Sequence, residues 1–241
     1  MITFDQIDGK FQDLYNRGRS YLKDEAIQLI TLQHPVEPKD ELYFNKLVSW
    51  GYVLLFESFP LLYKRLAGQV RQLDNEKHKY ITDSKNIIHA LRTIQCHNMP
   101  EDEPKNRKKI ILIDIWFEQN APESERKWQN ACNALCEMLF DILSALCHVF
   151  DVMRSDPVSF EIFVSDFVDA LKREWEPHSF DKYIQSVADD LGILGINVVG
   201  YRANKLDEWR ALAALFDDRE SARSSIERKI KMELIATFGK N

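Results

Sequence analysis

Residues 124–154, with the sequence SERKWQNACNALCEMLFDILSALCHVFDVMR, decide the fold class of this chain. Apolar side chains recur in this segment at steps of three and four, a spacing that places them along one stripe of an α-helix. The stripe consists of Trp128, Cys132, Leu135, Leu139, Ile142, Leu146, Val149 and Met153. The segment is therefore predicted to be the central helix of the protein.

Both ends of this helix have candidate capping residues. Asn120 is its predicted N-cap, and Pro122 falls in the first turn, where proline is tolerated. The sequence Ser155-Asp156-Pro157 is predicted to end the central helix and to cap the next one, over residues 158–174.

Helical spacing extends over most of the remaining chain. Residues 41–73 are predicted to be helical, with a break or kink at Pro60. Thr82 or Asp83 is predicted to cap a shorter helix over residues 84–96. Further helices are expected in the first 33 residues and near residues 180–191, 205–216 and 219–238, with an extended turn over residues 193–201.

The most polar stretch of the chain, residues 99–109, contains two prolines and many charges, and it is predicted to be a solvated loop. Residues 110–117 are almost continuously apolar and are predicted to form a short buried helix or strand. We favour the helix. The fold class is therefore all-α.

Composition and charge exclude several classes of protein. Only 8 Gly and 8 Pro occur among 241 residues, too few for a collagen-like or low-complexity chain. With 38 Asp and Glu against 32 Lys and Arg, the formal charge of −6 argues against coating nucleic acid or an anionic membrane through overall charge. Apolar runs are too short to span a bilayer, the first residues do not resemble a leader, and four cysteines are too sparse for a disulfide scaffold. We expect a cytoplasmic protein with no membrane partner.

The common catalytic and metal-binding signatures are missing from the sequence. It contains no glycine-rich phosphate loop, no G-x-S-x-G, no H-E-x-x-H and no C-x-x-C. Cys132 and Cys136 are four residues apart, but Cys147 lies roughly 16 Å or more further along the same helix, too far to share a zinc ion. We expect these cysteines to pack in the core, and we expect no metal and no cofactor.

The stretch that stands out chemically is Leu91-Arg92-Thr93-Ile94-Gln95-Cys96-His97-Asn98. Arg92 and His97 are five positions apart, about 140° around an ideal helix, so they do not share a face. Either the helix ends before His97, as the nearby Pro100 indicates, or a second subunit completes the site. As an alternative, both side chains could simply interact with the negative end of the helix. His89 lies near Arg92 and either joins the site or belongs to the polar face.

These residues resemble the motif helix of the HEPN superfamily, all-helical domains of prokaryotic toxins and antiviral ribonucleases with Arg followed four to six residues later by His. Leu91 before the Arg and Asn98 after the His fit the motif, whereas the family most often has Asn, Asp or His where this chain has Thr93. The resemblance implies a HEPN-like helical bundle over residues 1–175, with its core at about 40–175, N-terminal helices and a variable insertion at 99–123. Residues 176–241 would be a C-terminal helical appendage.

The resemblance also implies a reaction. In metal-independent RNA cleavage the 2′-hydroxyl attacks the adjacent phosphate, so the protein supplies proton transfer and charge stabilisation. His97 would be the acid or base, Arg92 would bind the phosphate, and Asn98 would position the phosphate or hydroxyl. Family members bring two motifs together, which implies a homodimer. The basic residues that follow the motif would hold the RNA backbone or be only a solvated loop: Lys105, Arg107, Lys108 and Lys109.

The resemblance therefore implies a metal-independent endoribonuclease of a prokaryotic defence or toxin–antitoxin system that acts on single-stranded RNA or tRNA. Its expected partners are RNA, a second copy of the chain and an antitoxin or other defence protein. The alternative, motivated by Thr93 and the acidic surface, is a non-catalytic HEPN-like module for dimerisation or protein interaction.

Overall fold

Every regular element in the described part of the chain is a helix, which confirms the all-α prediction. The computed structural model describes residues 1–23, 26–100, 102–121, 127–173, 175, 177–216 and 218–238. Ten α-helices lie in these ranges: α1 Phe4–Tyr21, α2 Glu41–Val53, α3 Pro60–Leu73, α4 Asn75–Cys96, α5 Pro104–Asn120, α6 Lys127–Arg154, α7 Pro157–Arg173, α8 Asp181–Asp190, α9 Val198–Ala213 and α10 Arg219–Phe238. A π-helical turn, Leu54–Ser58, follows α2, and a 3₁₀ turn, Pro177–Phe180, precedes α8.

The chain divides into two compact units, Met1–Val164 and Ser165–Asn241. The division falls inside α7, before the boundary predicted at residues 175 and 176.

In the first unit, helices α1 to α5 all pack against α6, which confirms α6 as a central helix. Six members of the predicted stripe are among its buried residues: Cys132, Leu135, Leu139, Ile142, Leu146 and Val149.

The second unit has an apolar core of its own. Helices α8, α9 and α10 pack against one another around Trp209, which is fully buried and lies 5.5 Å from the Phe180 ring, centroid to centroid. The Trp175 ring stacks on the Phe180 ring, with their centroids 5.4 Å apart. The indole nitrogen of Trp209 donates to Glu233 Oε2 at 3.3 Å, so the buried N–H of this core has an acceptor.

Helix α4 begins nine residues before its predicted start, at Asn75. The prediction that Thr82 or Asp83 caps this helix is wrong, because Asp74 is the N-cap and its Oδ1 accepts from the Lys77 N–H at 2.8 Å. The Thr82 hydroxyl instead donates to the His78 carbonyl at 2.8 Å, inside the helix. Such a bond back to the preceding turn lets threonine sit in a helix interior.

Helix α5 corrects two further predictions. Residues 99–109 are not a loop throughout, because α5 begins at Pro104, a residue type suited to the first helical position, and it includes the predicted basic residues. Residues 110–117 are helical, as we favoured. Asn120 is not the N-cap of α6 but the last residue of α5, where its side-chain amide donates to the Trp116 carbonyl at 2.8 Å. Pro122 lies outside the described residues.

Two other predicted boundaries have different outcomes. Asp156 caps α7 as predicted, since its carboxylate accepts from the Val158 N–H at 3.2 Å and from the Ser159 hydroxyl. The extended turn over residues 193–201 is wrong beyond residue 197, because Asn197 caps α9 and accepts from the Gly200 N–H at 3.0 Å. Within the described ranges, no helix is both long and apolar enough to cross a bilayer.

The burial of three cysteines follows from their places on α6. Cys132, Cys136 and Cys147 are buried, and burial raises the pKa of the Cys132 thiol to about 12 and of the Cys147 thiol to about 11. These thiols stay protonated and pack as small apolar groups. Among the described residues, no group of three or more His, Cys, Asp or Glu side chains is placed to bind a metal ion.

Replacing Gly51 with leucine should destabilise the first unit. A Cβ atom at Gly51 would lie 3.0 Å from Leu139 Cδ2 of α6 and 3.7 Å from Ile88 Cγ2 of α4, so a larger side chain must push helices apart. We expect Gly51→Leu to lower the free energy of unfolding by about 1–3 kcal/mol in urea denaturation. Gly68→Leu is the matched control on α3, where nothing lies within 4 Å, and it should stabilise by about 0.5–1 kcal/mol. Equal effects at both positions would contradict this packing.

The N-cap of α4 gives a second test. Asp74→Ala removes the acceptor for the Lys77 N–H and should lower the free energy of unfolding by about 0.5–2 kcal/mol. Asp83→Ala, at the position that the sequence suggested, should change it by less than about 0.5 kcal/mol. Chemical denaturation of the two variants measures the difference, and a larger loss for Asp83→Ala would show that the helix begins later.

Candidate functional site

Helix α4 ends immediately before His97, as the sequence predicted. Cys96 is its last residue, and His97 is the C-cap, with an extended backbone at φ −130° and ψ 145°. The His97 N–H donates to the Thr93 carbonyl at 3.0 Å and closes the last turn. The side chains of His97 and Asn98 are both exposed, so the imidazole is accessible to a ligand at the end of the helix.

Arg92 lies one turn earlier in α4 and is half-buried. Its guanidinium carbon is 5.8 Å from the centroid of the Tyr52 ring, in a cation–π contact. Its Nη1 atom is buried and has no hydrogen-bond partner among the described residues. Because an unpaired buried donor costs free energy, an anionic acceptor that reached this guanidinium would be stabilised.

Two aromatic rings, called here the Tyr52–Phe56 pair, face α4 next to Arg92. Tyr52 belongs to α2 and Phe56 to the π-helical turn that follows it. The rings are stacked, with centroids 4.8 Å apart and planes inclined by 16°. The His89 imidazole of α4 lies 5.3 Å from the Phe56 centroid and 6.2 Å from that of Tyr52. Both rings are half-buried, so part of each is open to solvent.

Three residues of α4 present nitrogen atoms to these rings, and we call Lys85, His89 and Arg92 the α4 basic face. They are spaced by four and three residues, which places them on one side of the helix. Lys85 Nζ is 4.5 Å from the Phe56 centroid and 3.9 Å from that of Tyr63. His89, which the sequence left open, thus contacts the Tyr52 ring, as Arg92 does, and the Phe56 ring, as Lys85 does.

The His89 imidazole has a lowered pKa. Burial is the main cause, and the positive charges of Lys109 and Lys85 lower it further. His89 is therefore mostly neutral at pH 7, with a ring suited to stacking and to hydrogen bonding in either direction.

Thr93, the residue that departs from the resembled motif, joins α4 to α5. Its hydroxyl donates to the His89 carbonyl at 2.7 Å and accepts from Lys109 Nζ at 3.2 Å. Lys109 is thereby held against the motif helix. The other members of the predicted basic cluster lie on the first turns of α5 with exposed side chains: Lys105, Arg107 and Lys108.

The sequence did not single out Tyr52, Phe56 or Lys85 as site residues. A signal was present, because Tyr52 and Phe56 are four residues apart, as are Lys85 and His89, and each spacing predicts one helix face. Which face of α2 meets which face of α4 depends on the packing of both helices against α6.

The chemistry available at this end of α4 follows from these groups. Arg92, Lys85 and Lys109 can attract phosphate oxygens, the rings can stack on a planar ligand, and the imidazoles can donate or accept hydrogen bonds. This combination fits a polyanion that carries aromatic groups.

The pKa of His89 tests the electrostatics of the site. We expect His89 to titrate below its ordinary value of about 6.5. Lys109→Gln should raise this pKa, and Lys108→Gln, an exposed neighbour on α5, should not. Because the folded state disfavours the charged imidazole, protonation of His89 lowers the free energy of unfolding as the pH falls below about 6.5. This loss of stability should be smaller in Lys109→Gln than in the wild type. NMR titration of the imidazole signals measures the pKa, and an unchanged value in Lys109→Gln would contradict the assignment.

Comparison of the chain with protein-family models, curated proteins and solved structures gives no match. A functional assignment therefore depends on the residues and geometry described above.

Proposed function

We propose that this chain is a metal-independent endoribonuclease with a HEPN-like fold, acting on single-stranded RNA or tRNA in a prokaryotic defence or toxin–antitoxin system. The observation that carries the proposal is the end of α4, where His97 is the exposed C-cap residue and Arg92 has a buried guanidinium nitrogen without a partner. Lys109, whose Nζ is bonded to the hydroxyl of Thr93, the next residue along α4, adds positive charge to the motif helix.

The reaction is an internal transfer that needs no added nucleophile. The 2′-oxygen of the RNA bonds to the adjacent phosphorus and loses its proton to a base, while the bond to the 5′-oxygen breaks and that oxygen takes a proton from an acid. The products are a 2′,3′-cyclic phosphate and a 5′-hydroxyl. His97 serves as one of the proton-transfer groups, and Arg92 stabilises the negative charge that builds on the phosphate.

A second proton-transfer group is needed if one imidazole cannot serve both oxygens. Arg92 faces Tyr52 within the protomer, whereas His97 is exposed beyond the end of the helix. In the proposed homodimer, the end of α4 from a second copy supplies the other histidine and its Asn98. This arrangement explains why the catalytic histidine is left open to solvent.

Thr93 favours one alternative, a non-catalytic module that dimerises or binds a partner protein. Its hydroxyl donates to the His89 carbonyl and accepts from Lys109 Nζ, so this motif position has a structural role in the protomer. The two proposals differ in whether the protein alters RNA, and the experiment below separates them.

Cleavage of RNA in the presence of EDTA tests the proposed function. Purified protein should cut single-stranded RNA or tRNA and leave 2′,3′-cyclic phosphate ends. Arg92→Ala and His97→Ala should each lower the rate about 100-fold or more, since each removes a group that acts in the transition state. Single-turnover rates with end-labelled RNA measure the effect.

The matched control uses another Arg and His of the chain, with six residues between them. Arg71→Ala, at the exposed end of α3, and His78→Ala, early in α4, should cleave at the wild-type rate. Full activity in both Arg92→Ala and His97→Ala would show that other residues are catalytic. A wild-type protein inert on all RNAs would favour the non-catalytic module.

A further inference from the structure

We propose that the Tyr52–Phe56 pair and the α4 basic face form a binding subsite for single-stranded RNA, in which a nucleobase stacks on a ring and the flanking phosphates bind Lys85 and Arg92. The identity of the ligand as RNA rests on the proposed function. The subsite itself is carried by geometry: two stacked, half-buried rings from α2 and the π-helical turn, with nitrogen atoms of α4 against them.

Aromatic stacking would hold the bases of the strand. The Tyr52 and Phe56 rings are nearly parallel, and the His89 ring lies beside both, inclined by 26° to Tyr52. The lowered pKa of His89 keeps this third ring mostly neutral at pH 7, so that it adds aromatic surface. Every nucleobase has a face that can stack on such rings, which makes this mode of binding tolerant of sequence.

The positive charges of the α4 basic face would hold the phosphates of the strand. Lys85 and Arg92 lie over the rings, at 4.5 Å from the Phe56 centroid and 5.8 Å from that of Tyr52. A cation that exchanges its ring for a phosphate oxygen gains a charge-assisted hydrogen bond in place of the cation–π contact. The same movement uncovers a ring face for a base. The cations are thus placed to move from ring to phosphate when the strand binds.

The position of the subsite relates it to the proposed cleavage residues. Arg92 belongs to both, because its guanidinium contacts Tyr52 and it is the proposed phosphate ligand of the motif. Lys109 is bonded to Thr93, the next residue along α4. A base stacked on the Tyr52–Phe56 pair therefore fixes the nucleotide that flanks the phosphate held by Arg92. The pair would thus fix the position of the nucleotide beside the cleaved bond, whatever its base.

Binding of an uncleavable strand tests the subsite apart from catalysis. The probe is a single-stranded 2′-O-methyl oligonucleotide of about 12 nucleotides, within the usual size range of such sites, with 2-aminopurine at its centre. Blocked 2′-oxygens prevent the proposed reaction. We expect the wild type to bind it and to quench the 2-aminopurine fluorescence by stacking. Tyr52→Leu and Phe56→Leu should each weaken binding about 5-fold or more and reduce the quenching.

The control variant is Tyr21→Leu. Tyr21 is 40% exposed and lies under the Arg154 guanidinium at 4.1 Å, a cation–π pair of the same chemistry elsewhere in the first unit. Its variant should bind the oligonucleotide as the wild type does. Lys85→Gln should weaken binding and lower the slope of log affinity against log salt by about 0.7, one phosphate contact to a single strand.

Three outcomes would overturn the subsite. One is a wild type that does not quench 2-aminopurine, a result that needs no variant to fold. Another is wild-type affinity in folded Tyr52→Leu and Phe56→Leu, with folding checked by circular dichroism. The third is equally tight binding of a polyglutamate peptide, which would indicate an acidic protein partner. A wild type that binds and quenches the oligonucleotide but does not cleave RNA would refute the proposed function alone. A wild type that cleaves RNA, with unaltered binding in both ring variants, would refute the subsite alone.

Discussion

The close approach of α2 to α6 at Gly51 is the constraint on which the candidate site depends. A Cβ atom at this position would lie 3.0 Å from Leu139 of α6, and the same point is 3.7 Å from Ile88 of α4. The absence of a side chain lets three helices meet there. Tyr52 is the next residue along α2, and His89 is the next along α4, so the packing at Gly51 brings the rings and the basic face together. The π-helical turn Leu54–Ser58 then carries Phe56 into the same contact.

The helices that the sequence predicted best are those whose apolar stripe is buried along its length. For α6 the stripe is long and regular, and it is in contact with five other helices, so the sequence pattern and the packing agree. The first part of α4 has no such stripe. Residues 75–80 have the sequence NEKHKY, and none of them is buried, so no apolar period marks that stretch as helical. Only the Asp74 cap signals its start, and many Asp residues in a chain could be caps.

Helix α5 shows the converse error, because its charged first turns predict a loop where the structure has a helix. Lys105, Lys108 and their neighbours have good helix propensity, and Pro104 is suited to the first turn, yet a dense charged run between prolines is also typical of a loop. The helix forms because Ile113 and Trp116 are buried against the first unit. That burial is a tertiary effect, and two buried residues in seventeen give almost no periodic signal.

For the candidate site, motif spacing could point to Arg92, His97 and Asn98, because all three lie in one short stretch of sequence. Motif spacing could not predict that Arg92 contacts Tyr52, forty residues earlier in the chain. Nor could it predict that Lys109 bonds to Thr93 of the motif helix. These pairings depend on how α2, α4 and α5 pack, so they required the structure.

The formal charge of −6 places a quantitative limit on how such a site could hold RNA. Binding driven by charge alone gains from each phosphate neutralised, with a salt slope of about 0.7 per contact on a single strand. Lys85, Arg92 and Lys109 would provide three such contacts, far fewer than a protein that coats nucleic acid has. The net charge of the chain would oppose them at long range. Stacking, worth about 1–3 kcal/mol per base, does not depend on net charge. A ring pair beside a small group of cations is therefore the arrangement by which an acidic helical protein can bind RNA at one place and exclude it elsewhere.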